Sequence, residues 1–304
     1  MSSLGSLALL LGGLVLVIAG AEILLDGLLA TASRIGTSAF VVTVVISGFE
    51  LENLAAGIAA NAKGLPGAAA GTFLGGTTFL AIGVAGLGGL IAPIRARLKP
   101  AALLWTAAAP VPLLVLSLNG ELSRIDGALL VVWFLVAIFG LARSGREAFE
   151  GEEAERRRWP LAWLLGGLAI LTVGGDLLAL GLRGVVDRLG VSQTLLGNTA
   201  LAASVEGEEV VRVAVPTKRG RGDLGIANIT GTIVHFISLN AGIIALVKPL
   251  FLDDATRYLH LPVAVAATWL FCGLLAWRHA ITRVAGAGLI AVYAAYVAAA
   301  VLVG

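Results

Sequence analysis

The chain has 304 residues, of which 58% are hydrophobic and only 13% charged, with a net charge of +2 and a mean hydropathy of +0.96. Soluble domains carry about 25% charged residues, so the composition excludes a soluble domain and reads as an all-α integral membrane protein. A single cysteine, Cys272, excludes an intrachain disulfide and a cysteine-held metal cluster.

About 20 helical residues cross the hydrocarbon core, and ten runs come close to or exceed that length. The first, 4–28, has no basic stretch before it and continues into Glu22 and Asp26, so it reads as a transmembrane helix rather than a removable leader. The second, 39–62, holds Glu50, Glu52 and Asn53 inside apolar sequence and ends at Lys63-Gly64. The third, 67–93, carries Thr72 and a stripe of small residues from Gly75 to Gly89. Runs 101–118 and 125–143 precede the one long polar interruption, residues 144–159, which is rich in Glu and Arg. The sixth run, 160–182, contains Gly174-Gly175-Asp176. The seventh, 192–216, holds Glu206, Glu208, Glu209 and Arg212 and is followed by Arg219-Gly220. The eighth, 223–249, carries Asn228 and His235, and runs 261–278 and 283–303 complete the chain.

A constant offset of 156 residues superimposes the acidic segments (Glu50 on Glu206), the basic-Gly turns and the segments at Thr72 and Asn228; the first helices match at an offset of 154. Five runs on each side of the linker force the halves into opposite orientations, which predicts ten transmembrane helices built as two inverted five-helix repeats. The expected units are residues 1–143, a linker 144–159, and residues 160–304. Connections on one side of the membrane hold 14 Lys and Arg and those on the other hold 6. Positive charge is retained in the cytoplasm, so the linker is expected there and both termini outside a cell (inner) membrane.

Positions three apart share a helix face, which pairs Glu50 with Asn53 and Glu206 with Glu209. Charged residues in the seventh run cost on the order of 10 kcal/mol in lipid, so this helix must face protein or water. Either the acids form an interhelical salt-bridge network, or the two faces meet at the midplane as a site for hard cations, whose ligands are oxygens. Asn228 and Thr72 would join such a site, or else make interhelical hydrogen bonds. Glu208 and Arg212, four apart, have the geometry of a helical ion pair. Glu52 has Ala56 in the matching place and no such partner. His235 could sense protons or simply pack.

These segments resemble the cation/Ca²⁺ exchanger superfamily, in particular prokaryotic sodium/calcium exchangers. The two motifs, 43–79 and 199–236, follow that family's pattern of Gly-Thr-Ser-x-Pro-Glu, a basic-Gly turn, and Gly-Asn/Asp-x-x-Gly-Ser. Glu209 falls on the motif glutamate, Arg219-Gly220 on the turn and Asn228 on the Asn/Asp, whereas Asn53 takes the glutamate place in the first copy. Glu50 and Glu206 replace the motif serine. Glu52 and Glu208 replace its proline, which should remove the helix distortion that proline causes.

The resemblance implies a secondary active antiporter, not an enzyme, with Glu50, Asn53, Glu206, Glu209, Asn228 and Thr72 lining a site that alternates between the two sides. Ca²⁺ or another hard divalent ion would be exchanged for Na⁺, and clustered carboxylates would equally allow H⁺. A sodium/proton exchanger and a transport-inactive cation sensor or scaffold are the alternatives. No cofactor and no nucleic acid are expected; lipid and inorganic cations are. Monomer and homo-oligomer both stay open.

Overall fold

A computed structural model describes residues 3–48, 50–146, 158–186 and 207–303. Among the described residues it is all-α apart from four two-residue strands. Among the described residues, eight helices are long and apolar enough to cross a membrane: Gly5–Ile35, Pro66–Ile91, Pro100–Asn119, Arg124–Ser144, Pro160–Leu178, Gly222–Val247, Thr256–Arg278 and Arg283–Leu302. The protein is a multi-pass membrane protein.

The second expected run, 39–62, is not one continuous helix. It is broken into α2 (Ala39–Ile46) and α3 (Leu51–Ala62). Of the seventh run, 192–216, the described part is α10 (Gly207–Lys218). The other elements are α1 (Ser3–Ile35), α4 (Pro66–Thr78), α5 (Ala85–Ile91), α6 (Pro100–Ala108), α7 (Pro110–Leu116), α8 (Arg124–Arg146), α9 (Pro160–Val186), α11 (Gly222–Val234), α12 (Ala241–Val247), α13 (Leu261–Arg278) and α14 (Arg283–Val303). Proline opens α4, α6, α7 and α9, where its missing N–H costs no helical bond. Gly64 and Gly220 adopt φ of +74° and +79° in the tight turns that return α3 to α4 and α10 to α11.

Corresponding elements recur at the sequence offset. α10, α11 and α12 begin 156 residues after α3, α4 and α5, with identical lengths. Between α4 and α5 lies a π-helical stretch, Phe79–Val84, and between α11 and α12 lies its counterpart, His235–Asn240. The short strands pair crosswise: β1 (Ile94–Arg95) with β4 (Ala280–Ile281), and β2 (Glu121–Leu122) with β3 (Leu250–Phe251). Exchanging the two halves converts one pairing into the other.

The helix crossings obey the same exchange. A Cβ at Gly127 would lie 2.6 Å from the Gly242 carbonyl, and one at Gly286 would lie 2.6 Å from the Gly86 carbonyl. Backbones touch at both crossings, the small-residue packing that membrane helices use in place of a hydrophobic driving force. α1 and α9 run antiparallel, with Gly20 against Leu171 and Gly174 against Val17. The spans through α4–α5 and α11–α12 form the buried centre, while α14 is largely exposed. Phe40, Phe73, Phe79, Phe236 and Phe271 fill the core around them.

Candidate functional site

The break between α2 and α3 builds one wall of the site. The sequence expectation was a straighter helix, because Glu52 stands in place of a motif proline. The helix is nevertheless interrupted, and packing rather than proline accounts for it. Gly48 lies flat against the His235 ring, so closely that a side chain there would overlap it. His235 is held in turn by its Nδ1, 2.8 Å from the Gly231 carbonyl, and by an edge contact with Phe134 at 4.7 Å. The backbone freed at the break is reused: the Ser47 carbonyl accepts from Thr232 Oγ1 at 3.2 Å and from Arg212 Nη1 at 3.4 Å. Irregular backbone at this depth is tolerated where protein satisfies its polar groups.

Glu50 sits at the N-cap of α3, and its Oε2 accepts from Asn53 Nδ2 at 2.6 Å. The expected shared face of Glu50 and Asn53 thus takes the form of a side-chain hydrogen bond. On α10, Glu209 is fully buried; its Oε2 accepts from Asn228 Nδ2 on α11, and its Oε1 accepts from Arg212 Nη1 at 2.6 Å. Arg212 Nη2 donates to Glu208 Oε1 at 2.9 Å, the helical pair that the four-residue spacing predicts. The same Nη1 that binds Glu209 lies 3.7 Å from Glu50 Oε1.

One guanidinium therefore joins three carboxyl groups from two helices far apart in sequence, with side-chain exposures of 5% for Arg212, 1% for Glu209 and 12% for Glu50 and Glu208. Arg suits this role because its planar fork presents several donors at once. Three carboxyls against one guanidinium leave an excess of two formal negative charges. Glu208 Oε2 accepts no hydrogen bond from the described residues and points at Gly175 on α9, where an added Cβ would lie 2.7 Å away.

The structure brings Glu50, Asn53, Glu209 and Asn228 together around Arg212, through hydrogen bonds at Asn53, Glu209 and Asn228 and an ion pair between Arg212 and Glu50. Glu206 lies outside the described residues. The Thr72 hydroxyl donates to the Ala69 carbonyl at 2.8 Å within its own helix and packs beside Gly57 of α3. Glu52 is exposed. Among the described residues no group of three His, Cys, Asp or Glu side chains is positioned to hold a metal ion. Sequence reasoning assigned Arg212 to Glu208 alone and missed it as the hub, although Glu209 three residues before it was a legible signal. It also passed over buried polar groups of the central helices, Thr77, Ser238 and Asn240, which carry side-chain atoms without a hydrogen-bond partner among the described residues.

The sequence profile described as sodium/calcium exchanger protein matches residues 5–142 and 159–302. The chain belongs to the sodium/calcium exchanger family. It is 28% identical over 298 residues to the inner membrane protein YrbG of Escherichia coli (strain K12), covering 90% of this chain and 89% of that one. It is 27% identical over 277 residues to the putative antiporter CaxA of Alkalimonas amylolytica, covering 84% and 85%. The fold matches solved structures of the sodium-calcium exchanger NCX_Mj with a TM-score of 0.82 at 22% identity, over 98% of this chain and 99% of that one. The family is one of transporters rather than enzymes.

Proposed function

We infer that this family member is a secondary active cation antiporter of a cell (inner) membrane, exchanging Ca²⁺ or another hard divalent cation for Na⁺ or H⁺ by alternating access. One observation carries the reading. Glu50 and Glu209, from the two halves, reach the same guanidinium nitrogen, so the duplicated acidic segments meet at a single buried place. Carboxylates and amides there supply the oxygen donors that a hard cation needs. The relatives agree in kind: one is named an inner membrane protein, one a putative antiporter, and NCX_Mj was soaked with Na⁺, Ca²⁺ and Sr²⁺.

The architecture we propose is ten helices in two inverted repeats, 1–143 and 160–304, joined by a cytoplasmic linker with both termini outside. The constant element offset and the crosswise strand pairing support it. Glu50, Asn53, Glu209 and Asn228 line the site, with Glu206 completing it and Thr72 beside it. Ions are coupled because both compete for the same carboxylates. A second reading, a carrier that binds cations without moving them, draws on the guanidinium already lying among the acids.

Flux of ⁴⁵Ca²⁺ into proteoliposomes under an imposed Na⁺ or pH gradient tests the proposal. Gradient-driven uptake that Glu209→Gln lowers at least tenfold is the expected result. Uptake untouched by that change removes the site assignment, and Ca²⁺ binding without uptake favours the second reading.

A further inference from the structure

We propose that Arg212 is a tethered cation of this site: its guanidinium competes with the transported ion for Glu50 and Glu209, and stands in for that ion when the site is empty. The inference rests on the antiporter reading and goes beyond it by assigning a role to a residue that a cation site would not be expected to contain.

The geometry separates two halves of the guanidinium. Nη1 faces the groups contributed to the shared site, Glu209 at 2.6 Å, Glu50 at 3.7 Å and the Ser47 carbonyl at 3.4 Å. Nη2 faces Glu208 at 2.9 Å, one turn back on its own helix. Glu208 is thus an anchor for the arginine and can keep hold of it while Glu209 and Glu50 are given up to an incoming ion. The guanidinium places a positive charge between Glu209 and Glu50, where a cation bound by both acids would sit.

Coupling in an exchanger depends on the cost of closing an empty site, because dehydrated carboxylates without a cation are strongly unfavourable. A guanidinium supplied by the chain offsets that cost. Two consequences follow. External cations bind more weakly than they would to the bare acids, since each must displace Arg212. The ion-free carrier can also close and return, so part of the flux proceeds without a counter-ion.

Glu208→Gln combined with Arg212→Gln tests this while removing one negative and one positive charge together, so that no buried arginine or Glu208 charge is stranded. Arg212→Lys serves as a second variant: it keeps the charge, but its shorter point-like ammonium cannot span Glu208 and Glu209 at once. Two readouts are needed: equilibrium ⁴⁵Ca²⁺ binding to protein in nanodiscs, and release of ⁴⁵Ca²⁺ from loaded, voltage-clamped proteoliposomes into Na⁺-free medium at equal pH.

The tethered cation predicts measurable counter-ion-free release by the unaltered protein. It predicts a dissociation constant at least tenfold lower in the double variant, with release now dependent on Na⁺ or a pH gradient. Arg212→Lys should shift affinity in the same direction by less. Gradient-driven flux by the unaltered protein with unchanged or weaker Ca²⁺ binding in both variants overturns the tether and leaves the antiporter reading standing. No cation binding or flux in any of the proteins overturns both.

Discussion

The segments that open α3 and α10 are one backbone used twice, 156 residues apart, yet they differ in almost every charged contact. Asn53 in the first corresponds to Glu209 in the second, and Ala56 corresponds to Arg212. Asn53 turns back to Glu50 on its own helix, whereas Glu209 is sealed between Arg212 and Asn228. Glu52 is exposed where its counterpart Glu208 is anchored to the arginine. The repeat thus conserves geometry and distributes chemistry unevenly. The first half contributes the Ser47 carbonyl, which accepts from Arg212 and Thr232, and one acid beside Arg212, and the second contributes Arg212 and Glu209.

Breaking the asymmetry at its centre should have the largest effect. Arg212→Met removes the base that contacts Glu50, Glu208 and Glu209, and stripping one partner from such a network costs about 3–5 kcal/mol. Thermal unfolding in detergent should show a marked loss of stability, and Glu209→Gln in the same background should restore part of it. Gly48→Ala comes next. A methyl forced onto the His235 ring costs about 1–3 kcal/mol as overpacking and should lower the melting temperature accordingly. Asn53→Ala deletes one partly buried hydrogen bond to Glu50, worth about 1 kcal/mol. Ala56→Arg would give Glu52 the partner that Glu208 has. Since Glu52 is exposed, the change in stability should stay within about 0.5 kcal/mol.

Much of this organisation is legible in the amino-acid sequence, for identifiable reasons. The offset of 156 between Glu50 and Glu206, and between the Gly64 and Gly220 turns, reappears as the offset of α3–α5 from α10–α12, between the two π-helical stretches and between β1 and β3. The Glu208–Arg212 pair follows from spacing along one helix. What spacing does not reveal is closure between distant segments. Ser47 and Glu50 reach Arg212 across more than 160 residues, and no local pattern encodes that contact. The break at Ser47–Glu50 escapes for a similar reason: its cause is the His235 ring pressed on Gly48, not a proline within the segment. The crosswise strand pairs are two residues long, too short for an alternating pattern to register.

The central claim is that acids from both halves serve one cation site, and a double-mutant cycle addresses it most directly. Ca²⁺ affinity would be measured for the unaltered protein, Glu50→Gln, Glu209→Gln and the pair together. A shared site predicts strong non-additivity, with the pair losing far less than the two single losses combined. Losses that add within about 0.5 kcal/mol would mean that Glu50 and Glu209 act independently, and would contradict the account.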